Sequence, residues 1–185
     1  GMGHRPSDVA PDVRARSYHV EADVLLPEGG AQGVLLAHGD ATSGYSLYLQ
    51  DGHLLHDLNI GGMHQVVRSK GLVPTGRHRL GFRMELGPMT LTPPRPHIGR
   101  VVVPSSRPGT LLIDDEPVGE IMFSAGFNTL ISWSGLDIGR DRASPVSHYA
   151  APFEFSGRLF KVTVTLQPQQ ELDGAAIANA EMARQ

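Results

Sequence analysis

The side chains of this sequence that could do acid–base or metal chemistry are its nine histidines and its acidic residues. A zinc site would use histidines at short spacings such as H-x-H or H-E-x-x-H, and neither spacing occurs. His53 and His56 are three residues apart, which places them on opposite faces of a regular strand. His38, His64 and His78 lie in separate segments and could meet only through the fold. The pattern therefore predicts surface or core histidines and no metal site.

Two aspartates in the sequence DIGRD, Asp137 and Asp141, could bind Ca²⁺ through carboxylate and backbone oxygens, the ligands that hard cations prefer. The alternative is structural, with Asp137 in a turn and Asp141 paired to Arg140 or Arg142. We favour the structural interpretation, so no cofactor is predicted and calcium is kept as the alternative.

Catalysis of glycoside hydrolysis would need two carboxylates that face each other across a cleft. No E-x-D-x-E or similar spacing occurs on a predicted strand. Glu21 and Asp23 share a face, but that face is expected to be solvated. No catalytic residue is assigned, and a hydrolase is the least favoured function.

Aromatic residues are the candidates for ligand binding, because a flat ring with polar neighbours suits the surface of a sugar. The candidate ligand-binding residues are Tyr48, His56, Trp133 and Tyr149. The competing interpretation is packing in the core or between sheets, where aromatic side chains bury large apolar areas. Strand alternation sends the neighbouring Tyr45 toward the core.

The elements that must position these residues are β-strands, organised around residues 44–60 (GYSLYLQDGHLLHDLNI). Tyr45, Leu47 and Leu49 alternate with polar residues, as in a half-buried strand. Asp51 and Gly52 then form a two-residue turn signal, because both tolerate the positive φ that a type I′ turn needs. The sequence therefore predicts an antiparallel hairpin here.

About ten strands follow from the same patterns, and no interior helix is predicted. Residues 17–26 and 78–85 alternate, 33–38 (GVLLAH) is a buried central strand, and a second hairpin surrounds residues 114–117. In the last strand, predicted over 153–166, Phe160 shares a face with Val162, Val164 and Leu166, and Gly157 suggests a bulge. The expected architecture is all-β: a two-sheet antiparallel sandwich of concanavalin or lectin-like jelly-roll type.

Three parts are expected along the chain. Residues 1–15 form a polar N-terminal arm, 16–168 form the β-sandwich, and 169–185 form a short Ala-rich C-terminal helix. Residues 87–108 interrupt the sandwich with six prolines, which remove hydrogen-bond donors and leave room for at most an edge strand.

Composition excludes several classes of function. A net charge of −3 argues against a nucleic-acid partner, and no apolar run approaches the ~20 residues of a membrane span. The absence of cysteine removes disulfides and thiol catalysis. No signal peptide is visible, so a cytoplasmic location is predicted. All basic residues but Lys70 and Lys161 are arginine, the better bidentate partner for carboxylate or sulfate groups.

The order of several segments resembles the β-sandwich accessory domain that lies C-terminal to the catalytic domain in many bacterial arylsulfatases. The segments are EGGAQGVLLAH, GYSLYLQDGHLLHDLN, 76–85, GTLLIDDEPVGE, DIGRDRASPVSHY and PFEFSGRLFKVTVTL. The resemblance covers residues 16–166 and implies an arylsulfatase-related interaction module that packs on a sulfatase catalytic chain or binds a carbohydrate. A homo-oligomer is also compatible with it.

The resemblance does not imply sulfatase activity. A sulfatase needs a C/S-x-P-x-R motif, and the nearest match, Ser106 to Thr110 (SRPGT), has threonine in place of the final arginine. The pair Asp114-Asp115 matches the turn of the accessory domain's hairpin and not a sulfatase metal site. We therefore predict a non-catalytic accessory module, with a stand-alone glycan-binding lectin-like protein as the alternative.

Overall fold

The structure is a computed structural model and describes residues 6, 10–94, 96–97, 99–127, 131, 134–142 and 144–168. These residues form twelve β-strands and no helix, so among them no helix exists that could cross a membrane. The strands are β1 (Tyr18–Leu26), β2 (Gly33–Gly39), β3 (Ser43–Gln50), β4 (His53–Ile60), β5 (Met63–Arg68), β6 (Gly76–Met84), β7 (Met89–Leu91), β8 (Val102–Pro104), β9 (Pro108–Ile113), β10 (Glu116–Met122), β11 (Leu136–Ile138) and β12 (Arg158–Leu166).

Two five-stranded antiparallel sheets pack face to face. The first sheet has the order β10-β9-β6-β1-β12, and the second has the order β11-β2-β3-β4-β5. In the first sheet neighbouring strands are mostly distant in sequence, since β1 pairs with both β6 and β12, whereas β2 to β5 of the second sheet are consecutive. The predicted all-β two-sheet sandwich is confirmed.

The hairpin that organises the sequence forms as predicted. Gln50 pairs with His53 across the turn, and Asp51 and Gly52 have φ angles of 51° and 73°. In the second hairpin, Asp114 and Asp115 have the positive φ angles, 51° and 71°, and β10 begins directly after them. Both turns are of the two-residue kind whose twist matches that of the flanking strands.

The core lies between the sheets and is built from alternate residues of the central strands. Tyr45, Leu47 and Leu49 of β3 are all buried there, facing side chains of β1 and β6 such as Val20 and Phe82. A second, smaller cluster lies on the outer face of the second sheet. Both faces of β3 are therefore buried, one by the opposite sheet and the other by a loop.

The two long sides of the sandwich differ. On one side β5 and β10 approach each other, and the Lys70 backbone amide donates to the Val118 carbonyl at 2.8 Å. On the opposite side the edge strands are β11 and β12, and residues 153–156 lie beside them. There the Phe155 amide donates to the Gly139 carbonyl at 3.0 Å, and the Ser156 amide donates to the Gln32 carbonyl at 2.8 Å.

Two regions differ from the sequence-based expectations, and a third lies outside the described residues. Within residues 87–108, β7 and β8 pair as a separate two-stranded sheet, because Thr90 and Val103 keep enough donors for a short ladder between the prolines. The last strand begins at Arg158 and not at residue 153. The predicted C-terminal helix, 169–185, lies outside the described residues.

Candidate functional site

Two of the sequence candidates, Tyr48 and Tyr149, meet on the outer face of the second sheet. Their ring centroids are 5.0 Å apart in an edge-on arrangement, and the Tyr48 hydroxyl lies 3.0 Å from Ser147 Oγ. The loop formed by residues 140–142 and 144–153 covers this face, and the exposed fractions of the two tyrosines are only 2% and 8%. These tyrosines therefore hold the loop on the sheet and present little surface to a ligand.

Asp141 is the hydrogen-bond acceptor that fixes the same loop. One of its oxygens, Oδ2, accepts from the Tyr149 hydroxyl at 2.7 Å and from the Val146 amide at 3.0 Å. Burial raises the pKa of Asp141, although both hydrogen bonds oppose the rise. Asp137 Oδ1 pairs with Arg142 Nε at 3.1 Å. In the described part of the chain, no group of three acidic or histidine side chains could hold a metal ion.

The remaining two ligand-binding candidates lie elsewhere. His56 is fully buried between the sheets, with its ring stacked on Phe82 at a centroid distance of 3.5 Å and an interplanar angle of 8°. Burial lowers its pKa to about 3, so the ring is neutral at pH 7. Trp133 lies outside the described residues. The structure thus brings together Tyr48, Tyr149, Asp137 and Asp141 around one loop, and separates His56 from them.

A buried carboxylate on the same outer face was missed by the sequence reasoning. Asp57 is fully buried, and its Oδ2 lies 2.6 Å from His64 Nδ1. The ring of His148, from the covering loop, lies 4.1 Å from the ring of His64. The contact of His148 with His64 joins the loop to the second sheet beside β5. Asp57 and His64 are seven positions apart, and the register of β4 with β5, in which His64 is opposite Asn59, makes them diagonal neighbours.

The outer face of the first sheet is open to solvent and carries ion pairs at two of its arginines. Arg79 Nε lies 3.3 Å from Glu21 Oε1, and the same guanidinium also contacts Asp115. Arg83 Nε lies 3.8 Å from Glu85 Oε2. These arginines are neutralised by neighbours on their own face.

At one corner of this face an exposed aromatic ring lies between two arginines. Phe160 has 37% of its surface exposed, and the guanidinium carbons of Arg77 and Arg158 lie 4.7 and 4.8 Å from its ring centroid. Among the described residues, neither arginine has a carboxylate within ion-pair distance. Leu25, 41% exposed, pairs with both arginines across the strands. We call Leu25, Arg77, Arg158 and Phe160 the Arg–Phe patch.

A β-bulge creates this patch. In the pairing of β1 with β12, Asp23 lies opposite Lys161 and Val24 lies opposite Leu159, so Phe160 is an extra residue. Its ring is therefore released from the inward face that Val162 and Val164 occupy, and it lies over the outer face, within reach of Arg77 on β6. The sequence-based placement of Phe160 with Val162 and Val164, and of the bulge at Gly157, was wrong.

A cleft with a volume of about 340 Å³ borders β12 on the side away from the patch, and Leu159, between Arg158 and Phe160 in sequence, is one of its wall residues. It lies between β11 and β12, and its walls include the ion pair of Arg140 Nη1 with Glu154 Oε1, 3.6 Å apart. Phe155 and Leu159 contribute apolar surface. Its volume falls in the range of about 300–1,000 Å³ that is typical of small-molecule sites.

A second cleft, of about 380 Å³, lies at the far end of the first sheet. Its walls include His19, Arg83 and Glu85 but no exposed aromatic ring. The β11–β12 cleft is the stronger candidate because it combines concave shape, hydrogen-bonding groups and an adjacent open ring. The residues that line the cleft come from positions 138–140 and 154–159, and those of the Arg–Phe patch from positions 25, 77, 158 and 160, so no local motif could have revealed them. The one local signal was Arg158-x-Phe160, which places two interacting side chains on one strand face.

Comparisons with known proteins identify the fold. No protein-family model and no curated protein matches the chain. Domains LG4-5 of the mouse laminin α1 chain match with a TM-score of 0.57 and 16% identity, over 88% of this chain and 39% of that one. The chain thus spans well under half of that laminin structure.

A second match is the CBM40 module of Ruminococcus gnavus IT-sialidase. Its structure bound to α2,3-sialyllactose gives a TM-score of 0.53 and 12% identity, over 95% of this chain and 91% of that one. Another structure of the same module gives 0.50 and 11%, with 95% and 92% covered. None of these three is a sulfatase structure, and the arylsulfatase resemblance stays a prediction. At such identities the likeness concerns the fold alone: the chain is a lectin-like β-sandwich.

Proposed function

We propose that this protein is a non-catalytic carbohydrate-binding module that takes a glycan in the β11–β12 cleft, with one sugar ring on Phe160. The observation that carries the proposal is the exposed Phe160 ring on β12, the strand that borders a cleft of about 340 Å³ through its neighbour Leu159. Water exposure of so large an apolar ring is costly, and a ligand with an apolar face would remove that cost.

The groups around the ring suit the alternating polar and apolar surfaces of a sugar. The Arg140–Glu154 ion pair is half exposed and offers both donors and acceptors to hydroxyl groups. The walls are held by backbone hydrogen bonds of residues 139 and 155–156, so the site is formed before a ligand arrives. A preformed site loses little conformational entropy on binding.

The cleft favours binding over hydrolysis. Glycosidases use two carboxyl groups about 5–9.5 Å apart. Among the described residues that line the cleft, Glu154 is the one acidic side chain, and it is already paired with Arg140. The CBM40 structure that shares this fold holds a sialylated lactose, which supports a carbohydrate as the partner here.

The expected result of replacing Phe160 by alanine is a loss of glycan affinity of about tenfold or more, because the stacking ring contributes roughly 1–2 kcal/mol. The whole chain is first screened on a glycan array, and affinities of the glycans that bind are then measured by isothermal titration calorimetry.

Leu72→Ala is the matched control, since Leu72 is also an exposed apolar residue, at 68%, but lies in the loop between β5 and β6. The glycan affinity of the Leu72→Ala variant should equal that of the unaltered protein. Glycan binding that survives Phe160→Ala undiminished would place the site elsewhere, and an array without saturable binding would contradict the proposal.

The sequence resemblance supports a second candidate, an accessory chain for a separate arylsulfatase catalytic chain. The segments quoted above, from EGGAQGVLLAH to PFEFSGRLFKVTVTL, are the observation in its favour. Stable co-purification with such a catalytic chain, unaffected by Phe160→Ala, would favour this candidate over the glycan-binding one.

A further inference from the structure

We propose that the glycan bound beside the β11–β12 cleft is anionic, and that Arg77 or Arg158, the two arginines on the Phe160 ring, binds its carboxylate or sulfate group. This inference rests on the proposed function and names the ligand class of the same site. The chain as a whole has a net charge of −3. A local excess of positive charge is therefore a property of this corner of the molecule and not of the protein.

The first support is a contrast within one sheet face. Arg79 and Arg83 each have a carboxylate partner, at 3.3 and 3.8 Å. Arg77 is two residues before Arg79 on the same strand, yet in the described part of the chain neither it nor Arg158 has one. The sheet thus neutralises its arginines everywhere except beside the one exposed ring of β12.

The second support is the convergence of the two unneutralised cations. Arg77 and Arg158 stand on β6 and β12, on either side of Leu25 in β1. Both guanidinium groups nevertheless lie within 4.8 Å of one ring centroid. Two like charges on one ring repel each other, and a bound anion would reduce that repulsion.

The chemistry of the side chains then selects the ligand. The guanidinium group is planar and always charged, and its forked donors match a carboxylate or sulfate in two parallel hydrogen bonds. An acidic sugar ring on Phe160 would place its charged substituent within reach of either arginine. A neutral sugar would leave both cations without an anionic partner.

The test compares neutral oligosaccharides with sialylated, uronic-acid and sulfated counterparts built on the same backbones. The whole protein should bind the anionic member of a pair about tenfold or more tightly, the change expected for one charge-assisted pair of hydrogen bonds. Tighter binding of the sialylated or uronic-acid member of a pair would identify a carboxylate as the bound group, and tighter binding of the sulfated member would identify a sulfate. The preference should fall as salt rises from 50 to about 500 mM, because exposed charges are screened.

The double variant Arg77→Gln/Arg158→Gln should lose the preference and bind both members of a pair alike. The variant Arg77→Lys/Arg158→Lys keeps both positive charges but loses the forked donors of the guanidinium groups. It should therefore keep part of the preference for anionic glycans. The control is Arg79→Gln, which removes a neutralised arginine from the same strand and should leave the preference intact. Circular dichroism and urea unfolding verify that each variant is folded, which is expected because all three arginines are at the surface.

Equal affinity for neutral and anionic members, with binding still lost in Phe160→Ala, would overturn this inference and leave the proposed function standing. A preference that persists in the glutamine double variant would also overturn it. Failure of every pair to bind would overturn the proposed function together with the inference.

Discussion

Lowering the pH from 7 to 5 should reduce the free energy of unfolding by about 4 kcal/mol, because two histidines are buried without hydrogen-bond partners. The exposed fractions of His38 and His56 are 4% and 0%, and neither ring nitrogen of either residue has a partner among the described residues. Burial lowers the pKa of His38 to about 4 and that of His56 to about 3.

The sign follows from comparing the folded and unfolded chains. Both folded pKa values lie below the ordinary histidine value of about 6.5, so between these pH values the unfolded chain binds protons that the folded chain does not. Stability therefore falls as the pH drops below about 6.5, by roughly 1.4 kcal/mol per pH unit for each histidine, and levels off near the folded pKa values. Asp141, whose pKa is raised, acts in the opposite direction.

The measurement is urea unfolding at pH 7 and pH 5. His56→Leu should lose about half of the pH dependence, because leucine cannot bind a proton, while the contribution of Asp141 cancels in the comparison. His97→Asn, a change at an exposed histidine outside both sheets, should keep the full dependence. Identical pH dependence in His56→Leu and the unaltered protein would show that His56 is not buried as a neutral ring.

Replacing Gly33 by alanine should cost more than about 3 kcal/mol, a loss in the range of severe backbone or packing defects. Gly33 begins β2 with a φ of 116°, which an alanine adopts only under strain. An added Cβ would lie 2.1 Å from the Glu154 carbonyl oxygen and 2.5 Å from Phe155 Cα. Both are backbone atoms of the cleft wall, so the wall or the strand must move.

The Gly33→Ala variant tests whether the packing of β2 against residues 154–155 supports the cleft. If the protein relieves the clash by displacing residues 154–155, glycan affinity falls along with stability; if it cannot, the protein unfolds at lower urea concentration. Gly29→Ala is the control, since no atom lies within 4 Å of its added Cβ and its φ needs no glycine. That change should be neutral or slightly stabilising. A Gly33→Ala protein as stable as the control would mean that residues 154–155 do not pack against β2.

The sequence predicts those parts of the fold that local chemistry determines. Asp51-Gly52 specifies its turn by itself, and the alternation of Tyr45, Leu47 and Leu49 specifies which face of β3 enters the core. The site depends on long-range pairing, which a single sequence does not reveal. Phe160 belongs to an alternating run that predicts an inward ring, and one extra residue in β12 reverses its face. Tyr48 and Tyr149 illustrate the converse, because a loop about a hundred residues away covers a face that alternation alone would leave open.

The central claim is that ligands bind at the Arg–Phe patch and the adjoining cleft. Its most direct test is a titration of ¹⁵N-labelled protein with the glycan that binds best on the array, followed by two-dimensional NMR. The largest amide shifts should fall on residues 158–161, on Arg77 and on Glu154 and Phe155. Shifts concentrated instead around His64 and His148, on the loop-covered face of the second sheet, would contradict the account.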